Sequence, residues 1–326
     1  MSEAQLAPQW QDWIVDNALA GVDAPELIET LVEGGVPEAL ARSEVSAILA
    51  SPGLRAARKL NRRVDRRDAL LGLLQTLERG HGRGIERVEG LSGDEFYARY
   101  VRHAQPVVLT DVARDWPAVS KWTPEYLGQV LGATKLQICE GRDQLEHPDR
   151  DYSRCVSTTT MAEYAAKVRA AGVTNDLYMI ANNRVAEQPE FAPLFDDVGL
   201  DERYLTPKRA CSFWFGPAGT RTPLHHDSCN ILFCQLRGQK RFRMLAPWSA
   251  RLADAAVGYY AGETLEQAIA AGERGYEVVL EPGEALYLPG WWWHEVLALD
   301  LSVSLSFLNF REPTTIELRG ADATED

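Results

Sequence analysis

Two histidines and an aspartate stand side by side in TPLHHDSCNILFCQL, at His225, His226 and Asp227, just ahead of an alternating apolar run. In an extended chain, side chains two apart point the same way, so His225 and Asp227 project to one side and His226 to the other. One imidazole and one carboxylate make half of a metal site. A third donor is available at His294 in LPGWWWHEV, 67 residues beyond Asp227, and two antiparallel strands would bring the three groups together. Two imidazoles and a carboxylate on one face of an ion leave about three positions open, the donor set typical of non-heme Fe(II) oxygenases. The set suits Fe(II) or Mn(II), and the absence of thiolate argues against a structural zinc. An H-x-D triplet alone equally describes a polar turn entering a strand.

Lys240 adds weight to the metal reading. In QKRFRML the alternation puts Lys240 on one face with Phe242 and Met244, and Arg241 and Arg243 on the other. An ammonium group on an apolar face requires a counter-ion, which a ligand carboxylate would supply. The competing reading is an edge-strand lysine whose head reaches back to water.

These residues need a scaffold, and the sequence describes one. The chain has 326 residues, 45% apolar and 25% charged, enough for one large domain and a smaller one. No apolar run approaches the roughly 18 residues of a spanning helix. MSEAQLAPQWQDW lacks the basic and apolar regions of a secretory signal, so the expectation is a cytoplasmic protein with no membrane partner. The five cysteines are scattered with no C-x-x-C, which predicts reduced thiols. A net charge of −13 argues against nucleic acid as a partner. One segment departs from that balance: RAARKLNRRVDRR, Arg55 to Arg67, holds seven cations and one Asp, spaced to share a helical face. It reads either as a solvated face or one that docks on the acidic remainder, or as a site for an acidic partner.

Residues 1–80 read as a small helical region. Apolar positions recur every three or four residues (Leu27, Ile28, Leu31, Val32; Leu70, Leu71, Leu74, Leu77), with Gly-Gly or Pro at the junctions. A glycine- and charge-rich stretch at 78–90 marks a boundary or hinge. From about Ile85 short strand-like runs take over, interrupted by helical stretches near 92–103, 123–131 and 159–171. Many short strands with Pro/Gly turns predict a sandwich or barrel over 85–311. LRGQK reads as a hairpin turn and LEPGEAL as a second turn. The segment 249–275, with Tyr259 and Tyr260, reads as an insertion at the barrel mouth, and 312–326 as a flexible tail.

Taken in order, TPLHHD, QLRGQKRF, LPGWWWHEV and SVSLSF resemble the Jumonji-C or cupin-like branch of the Fe(II)/2-oxoglutarate oxygenases. The chain is similar in texture to the asparaginyl hydroxylase of hypoxia-inducible factor and to bacterial cupin-like proteins with a helical N-terminal region. The resemblance spans about Ile85 to Phe310 and implies a mainly β fold with some α, a double-stranded β-helix or jelly-roll barrel with its active site inside the mouth. It implies that His225, Asp227 and His294 are the catalytic metal ligands. It implies that Lys240, with help from Thr222 and Tyr178, holds the distal carboxylate of 2-oxoglutarate. Ser306, inward with Ser302 and Ser304, stands where some relatives have an asparagine. The sequence departs from the pattern at one place: many relatives have an asparagine six residues after the first histidine, where this chain has Ile231, with Asn230 one place earlier. Parity turns Asn230 away from the co-substrate unless a bulge intervenes.

The resemblance further implies hydroxylation of a C–H bond with release of succinate and CO2, using Fe(II) as cofactor and 2-oxoglutarate and O2 as co-substrates. A protein or peptide substrate is the first expectation and a small molecule the second; a metal-dependent cupin or a binding module that does not use 2-oxoglutarate is the alternative class. Relatives suggest a homodimer. Trp214, Asn182 and Asn183 read either as pocket lining or as core and turn residues, and Trp291 to Trp293 either as a wall of the barrel mouth or as an exposed patch.

Overall fold

The computed structural model describes residues 6–81, 84–179, 185–208 and 211–312. It divides into two compact units, Met1–Leu77 and Glu78–Asp326.

The first unit is helical: α1 (Pro8–Ala20), α2 (Ala24–Glu33), α3 (Glu38–Ala50) and α4, which runs Pro52–His81. Pairs four apart, Ile14 with Ala18, Leu27 with Leu31 and Ala41 with Val45, put the buried side chains on one face of each short helix, and these faces form a common core. The Asp23 carboxylate accepts the Glu26 amide at the start of α2, and Gly21 ends α1 in the left-handed conformation. Along α4 the sequence pattern and the burial part company. Leu54 is buried, but Leu70 and Leu77 are more than half exposed. Six of the seven cations of 55–67 also face solvent.

The second unit is built on strands. Before residue 180 lie β1 (Glu86–Val88), β2 (Val107–Leu109), β3 (Lys135–Glu140), β4 (Val156–Thr160) and β5 (Leu177–Tyr178). After it come β6 (Ser212–Gly216), β7 (Arg221–His225), β8 (Ile231–Arg237), β9 (Lys240–Leu245), β10 (Gly275–Leu280), β11 (Ala285–Leu288), β12 (Trp293–Ala298) and β13 (Ser302–Phe307). One sheet has the order β1-β2-β11-β8-β13-β6, a second β10-β9-β12-β7, and a small third β4-β3-β5. The two larger sheets face each other. Phe233, Leu286 and Leu288 from the first pack against Phe242, Met244 and Val278 from the second, with the Phe233 and Phe242 rings 4.9 Å apart at 70°.

Strict alternation explains why both faces of the six-stranded sheet are filled. On β8, Leu232, Cys234 and Leu236 turn outward into a core shared with Trp122, Tyr164 and Phe191, while Phe233 turns inward. On β13, Val303, Leu305 and Phe307 join the outer core, and the serines between them take the inner face.

The turns at LRGQK and LEPGEAL form where the sequence places them, but neither closes a hairpin. β8 and β10 lie in different sheets from β9 and β11 respectively, so at each turn the chain crosses the sandwich. Turn chemistry specifies a reversal and not the strand that is paired afterwards. Gly238 makes the first crossing possible. Its φ is +63°, and an added Cβ would lie 2.2 Å from the Leu301 carbonyl oxygen. Gln235 Nε2 donates to the carbonyls of Arg237 and Gly238 to hold the turn, and Ser304 Oγ donates to Gln235 Oε1 at 2.8 Å. β9 and β10 do pair with each other, across the intervening 246–274. That segment contains short helices at Ala250–Ala255 and Leu265–Ala270.

Candidate active site

β7 ends on His225, and β12 carries His294 as its second residue. The antiparallel register sets the two histidines directly opposite each other, with ring centroids 4.1 Å apart. Asp227 follows β7, and its Oδ2 lies 3.6 Å from His294 Nε2 and 4.0 Å from His225 Nε2. Each ring is oriented from behind by a carbonyl two residues earlier: His225 Nδ1 donates to Pro223 at 2.8 Å and His294 Nδ1 to Trp292 at 2.9 Å. A carbonyl only accepts, so the proton sits on Nδ1 and both Nε2 lone pairs are left to face the carboxylate. Burial, reinforced by His225, holds His294 well below the usual imidazole range, in the neutral form that ligates a cation. An ion with bonds of about 2.0–2.2 Å to each donor can span atoms about 4 Å apart, so these three donors fit one ion.

The backbone around the ligands is fixed from both sides. The Trp291 amide donates to the Asp227 carbonyl at 2.7 Å, and the His226 amide to the Tyr259 carbonyl at 2.9 Å. Trp291 adopts φ +70°, unusual for a tryptophan, and stacks on His226 at 4.5 Å and 22°. His226 points away from Asp227's partners, as alternation requires, and is packed edge-on against Trp293.

The triad opens into a cavity of about 400 Å³ between the two sheets. Lys240, Tyr178, Thr222, Trp214 and Ser306 line it together with His225, Asp227 and His294. Lys240 begins β9 opposite Ala298, while Met244 faces His294, so four residues, roughly 13 Å of strand, separate the lysine's level from the triad. Lys240 is 2% exposed, and its ammonium is bounded by the rings of Tyr178, Trp214 and Phe233 at 5.2–5.8 Å. Its Nζ donates to the Tyr178 hydroxyl at 3.4 Å. Burial alone pulls it down to about 7. Tyr178 is itself raised by burial and hydrogen-bonded to the Thr222 side chain.

Other expected residues fall elsewhere. Ser306 lines the cavity, but its hydroxyl accepts the Trp214 indole N–H at 3.1 Å. Asn230 is turned away from the cavity, where Ile231 stands instead; its Oδ1 accepts the Gly290 amide at 2.8 Å and so ties β8 to the segment leading to His294. No bulge reverses the parity here. None of Trp291, Trp292 and Trp293 lines the cavity: Trp292 joins the core between the sheets and donates to the Ala104 carbonyl, and Trp293 packs with Leu224 and Leu252. Asn182 and Asn183 lie outside the described residues. Tyr259 and Tyr260 do reach the cavity wall. Asp149 and Tyr152, which the sequence reading missed, line it from the loop between β3 and β4, a segment with no local signal of its own.

Residues 93–315 match the cupin-like domain family, and the chain belongs to that family, the group that includes the JmjC proteins. It is similar to lysine-specific demethylase JMJ30 of Arabidopsis thaliana, with 30% identity over 240 residues, 68% of this chain and 54% of that protein. It is likewise similar to lysine-specific demethylase 8 of Xenopus tropicalis (29% over 245 residues, 68% and 52%) and to Jumonji C domain-containing protein 5 of Drosophila melanogaster (27% over 243 residues, 68% and 59%). The chain thus spans little more than half the length of these curated relatives. Among the described residues, no helix is long and apolar enough to cross a membrane.

Proposed function

We propose that the chain is an Fe(II)- and 2-oxoglutarate-dependent oxygenase that hydroxylates a C–H bond on a protein or peptide side chain. The observation that carries this reading is the convergence of His225, Asp227 and His294 at one end of a cavity whose other end holds a buried lysine that, among the described residues, has no carboxylate paired with it. A ligand bearing both a metal-chelating end and a carboxylate satisfies both features.

When bound, Fe(II) with 2-oxoglutarate and O2 supplies oxidative decarboxylation to succinate and CO2, coupled to insertion of one oxygen atom into the substrate C–H bond. The chain's residues bind, orient and exclude water. His225, His294 and Asp227 offer three donors from one side and leave the other side open. Lys240 supplies the positive charge for the distal carboxylate, and Tyr178 and Thr222 offer hydroxyls beside it. Phe233, Phe242 and Trp214 keep water from that end, which strengthens the charge pairing. No side chain acts as a nucleophile.

A polypeptide substrate is supported by the neighbouring groove of about 500 Å³, which shares Tyr260 and Asp149 with the metal cavity and provides room for chain flanking a target side chain. The relatives named as lysine-specific demethylases agree with a macromolecular substrate. The test is turnover of 2-oxoglutarate to succinate by the Fe(II)-loaded protein, followed by a mass-spectrometric search for host peptides one oxygen atom heavier. Succinate formation that survives Asp227→Ala, or none in the unaltered protein, would sink the oxygenase reading.

A further inference from the structure

Arg142 lies outside the metal cavity, in the loop between β3 and β4, and is 0% exposed. A guanidinium buried this completely is retained only if its donors are met, and they are distributed in an informative way. Nη2 and Nη1 reach the two oxygens of Asp149 at 2.9 and 3.4 Å. Nε donates to the Asn175 carbonyl at 3.0 Å, and Nη2 also donates to the Arg221 carbonyl at 3.0 Å. Asn175 lies three residues before Tyr178, and Arg221 immediately precedes Thr222. The guanidinium carbon sits 5.5 Å from the Tyr178 ring centroid. One side chain therefore grips the backbone of both segments that present hydroxyls to Lys240, and covers the Tyr178 ring as well. Of the two histidines of the triad, His294 is on another strand, while His225 lies on β7 four residues beyond Arg221, where its ring is oriented by the Pro223 carbonyl.

We infer that Arg142 is a positioning residue for the carboxylate-binding end of the cavity, holding Tyr178 and Thr222 in place around Lys240 while leaving the metal ligands to their own supports. The inference rests on the 2-oxoglutarate reading above. Asp149 neutralises the arginine, so its part is orientation and not a second charge for the ligand.

The test separates the two ends of the cavity. Mn(II) affinity is measured by the loss of the free-ion spin resonance signal, and 2-oxoglutarate affinity by calorimetry on the Mn(II)-loaded full chain, for the unaltered protein, Arg142→Lys, Tyr178→Phe and the double variant. Lysine keeps the charge but not the planar fork. Arg142→Lys is expected to weaken 2-oxoglutarate about tenfold, the size of one lost charge-assisted hydrogen bond, and to leave Mn(II) within about twofold. The double variant should lose less than the two single losses multiplied together, because the Tyr178 part of what Arg142 positions is already gone and only the Thr222 part remains. Should Arg142→Lys fail to fold, Arg142→Gln combined with Asp149→Asn, which removes the fork without leaving either charge unpaired, is expected to weaken 2-oxoglutarate in the same direction. An unchanged 2-oxoglutarate affinity, or losses of metal and 2-oxoglutarate by equal factors that add in the double variant, would overturn the assignment and leave Arg142 a general brace. If the unaltered protein binds Mn(II) but not 2-oxoglutarate, the co-substrate reading itself falls, and this assignment with it.

Discussion

His225 and His294 face each other across a pair of antiparallel strands, each ring held from behind by a carbonyl of its own strand. The face on which the two imidazoles converge is therefore prepared by the sheet register, and Asp227, 40% exposed at its side chain, completes the proposed metal site from the following loop. Asp227→Ala should leave the metal-free fold within about 0.5 kcal/mol, since it removes a half-exposed side chain whose backbone contact to Trp291 remains. The unaltered protein should gain about 2.7 kcal/mol at a metal concentration a hundred times the dissociation constant, and the variant should gain none. Thermal melts with and without Mn(II) check this; an equal gain in the variant would remove Asp227 from the ligand set.

Lys240 makes the cavity pH-dependent. Burial lowers it from its ordinary 10.5 to about 7, so between those values the unfolded chain holds the proton more firmly than the folded one. From this group the ligand-free protein loses stability as pH falls towards 7 and regains it as pH rises towards 10.5. A bound carboxylate reverses the preference by supplying the counter-ion. Above pH 7, 2-oxoglutarate binding should therefore take up a proton and weaken by up to about tenfold per pH unit, seen as a buffer-dependent heat in calorimetry. Lys240→Met should stabilise the empty protein at pH 7 by roughly 1–3 kcal/mol while greatly weakening co-substrate binding. Unaltered affinity in Lys240→Met would refute the assignment.

Asn230 is tied to the segment that leads to His294 through the backbone. Its side chain holds the Gly290 amide, four residues before His294. Asn230→Ala should lower stability by about 1–3 kcal/mol and weaken the metal. At saturating metal, 2-oxoglutarate affinity should be unchanged. Weakened co-substrate binding under those conditions would instead give Asn230 the contact that the family resemblance suggested.

Gly238 tests the crossing between sheets. Alanine there meets both a left-handed backbone and the Leu301 carbonyl, so Gly238→Ala should cost about 2–4 kcal/mol in chemical denaturation. Near-native stability would mean the turn relaxes more than its contacts allow.

Much of this was legible in the sequence where the signal is local. The parity rule placed His225 and Asp227 together, put Lys240 inward with Phe242 and Met244, and turned Asn230 away. Helices α1 to α3 followed from spacing and punctuation. What could not be read depends on partners distant in sequence. The turn at Gly238 announces a reversal but not a change of sheet. Leu70 and Leu77 have helical spacing, and spacing cannot say whether a face is covered. The tryptophan run has the composition of a cavity wall, yet each ring is spent on a different neighbour: His226, the Ala104 carbonyl and Leu224. Arg142 and Asp149 pair within one loop, and nothing beside them in the chain signals that the loop reaches the Arg221 carbonyl on β7.

The most direct test is anaerobic addition of 2-oxoglutarate to the Fe(II)-loaded protein, followed by visible absorption. A metal-to-ligand charge-transfer band should appear in the unaltered protein, vanish in Asp227→Ala, and require far more 2-oxoglutarate in Lys240→Met. A protein that binds Fe(II) tightly at this site and yields no band at any 2-oxoglutarate concentration would contradict the account.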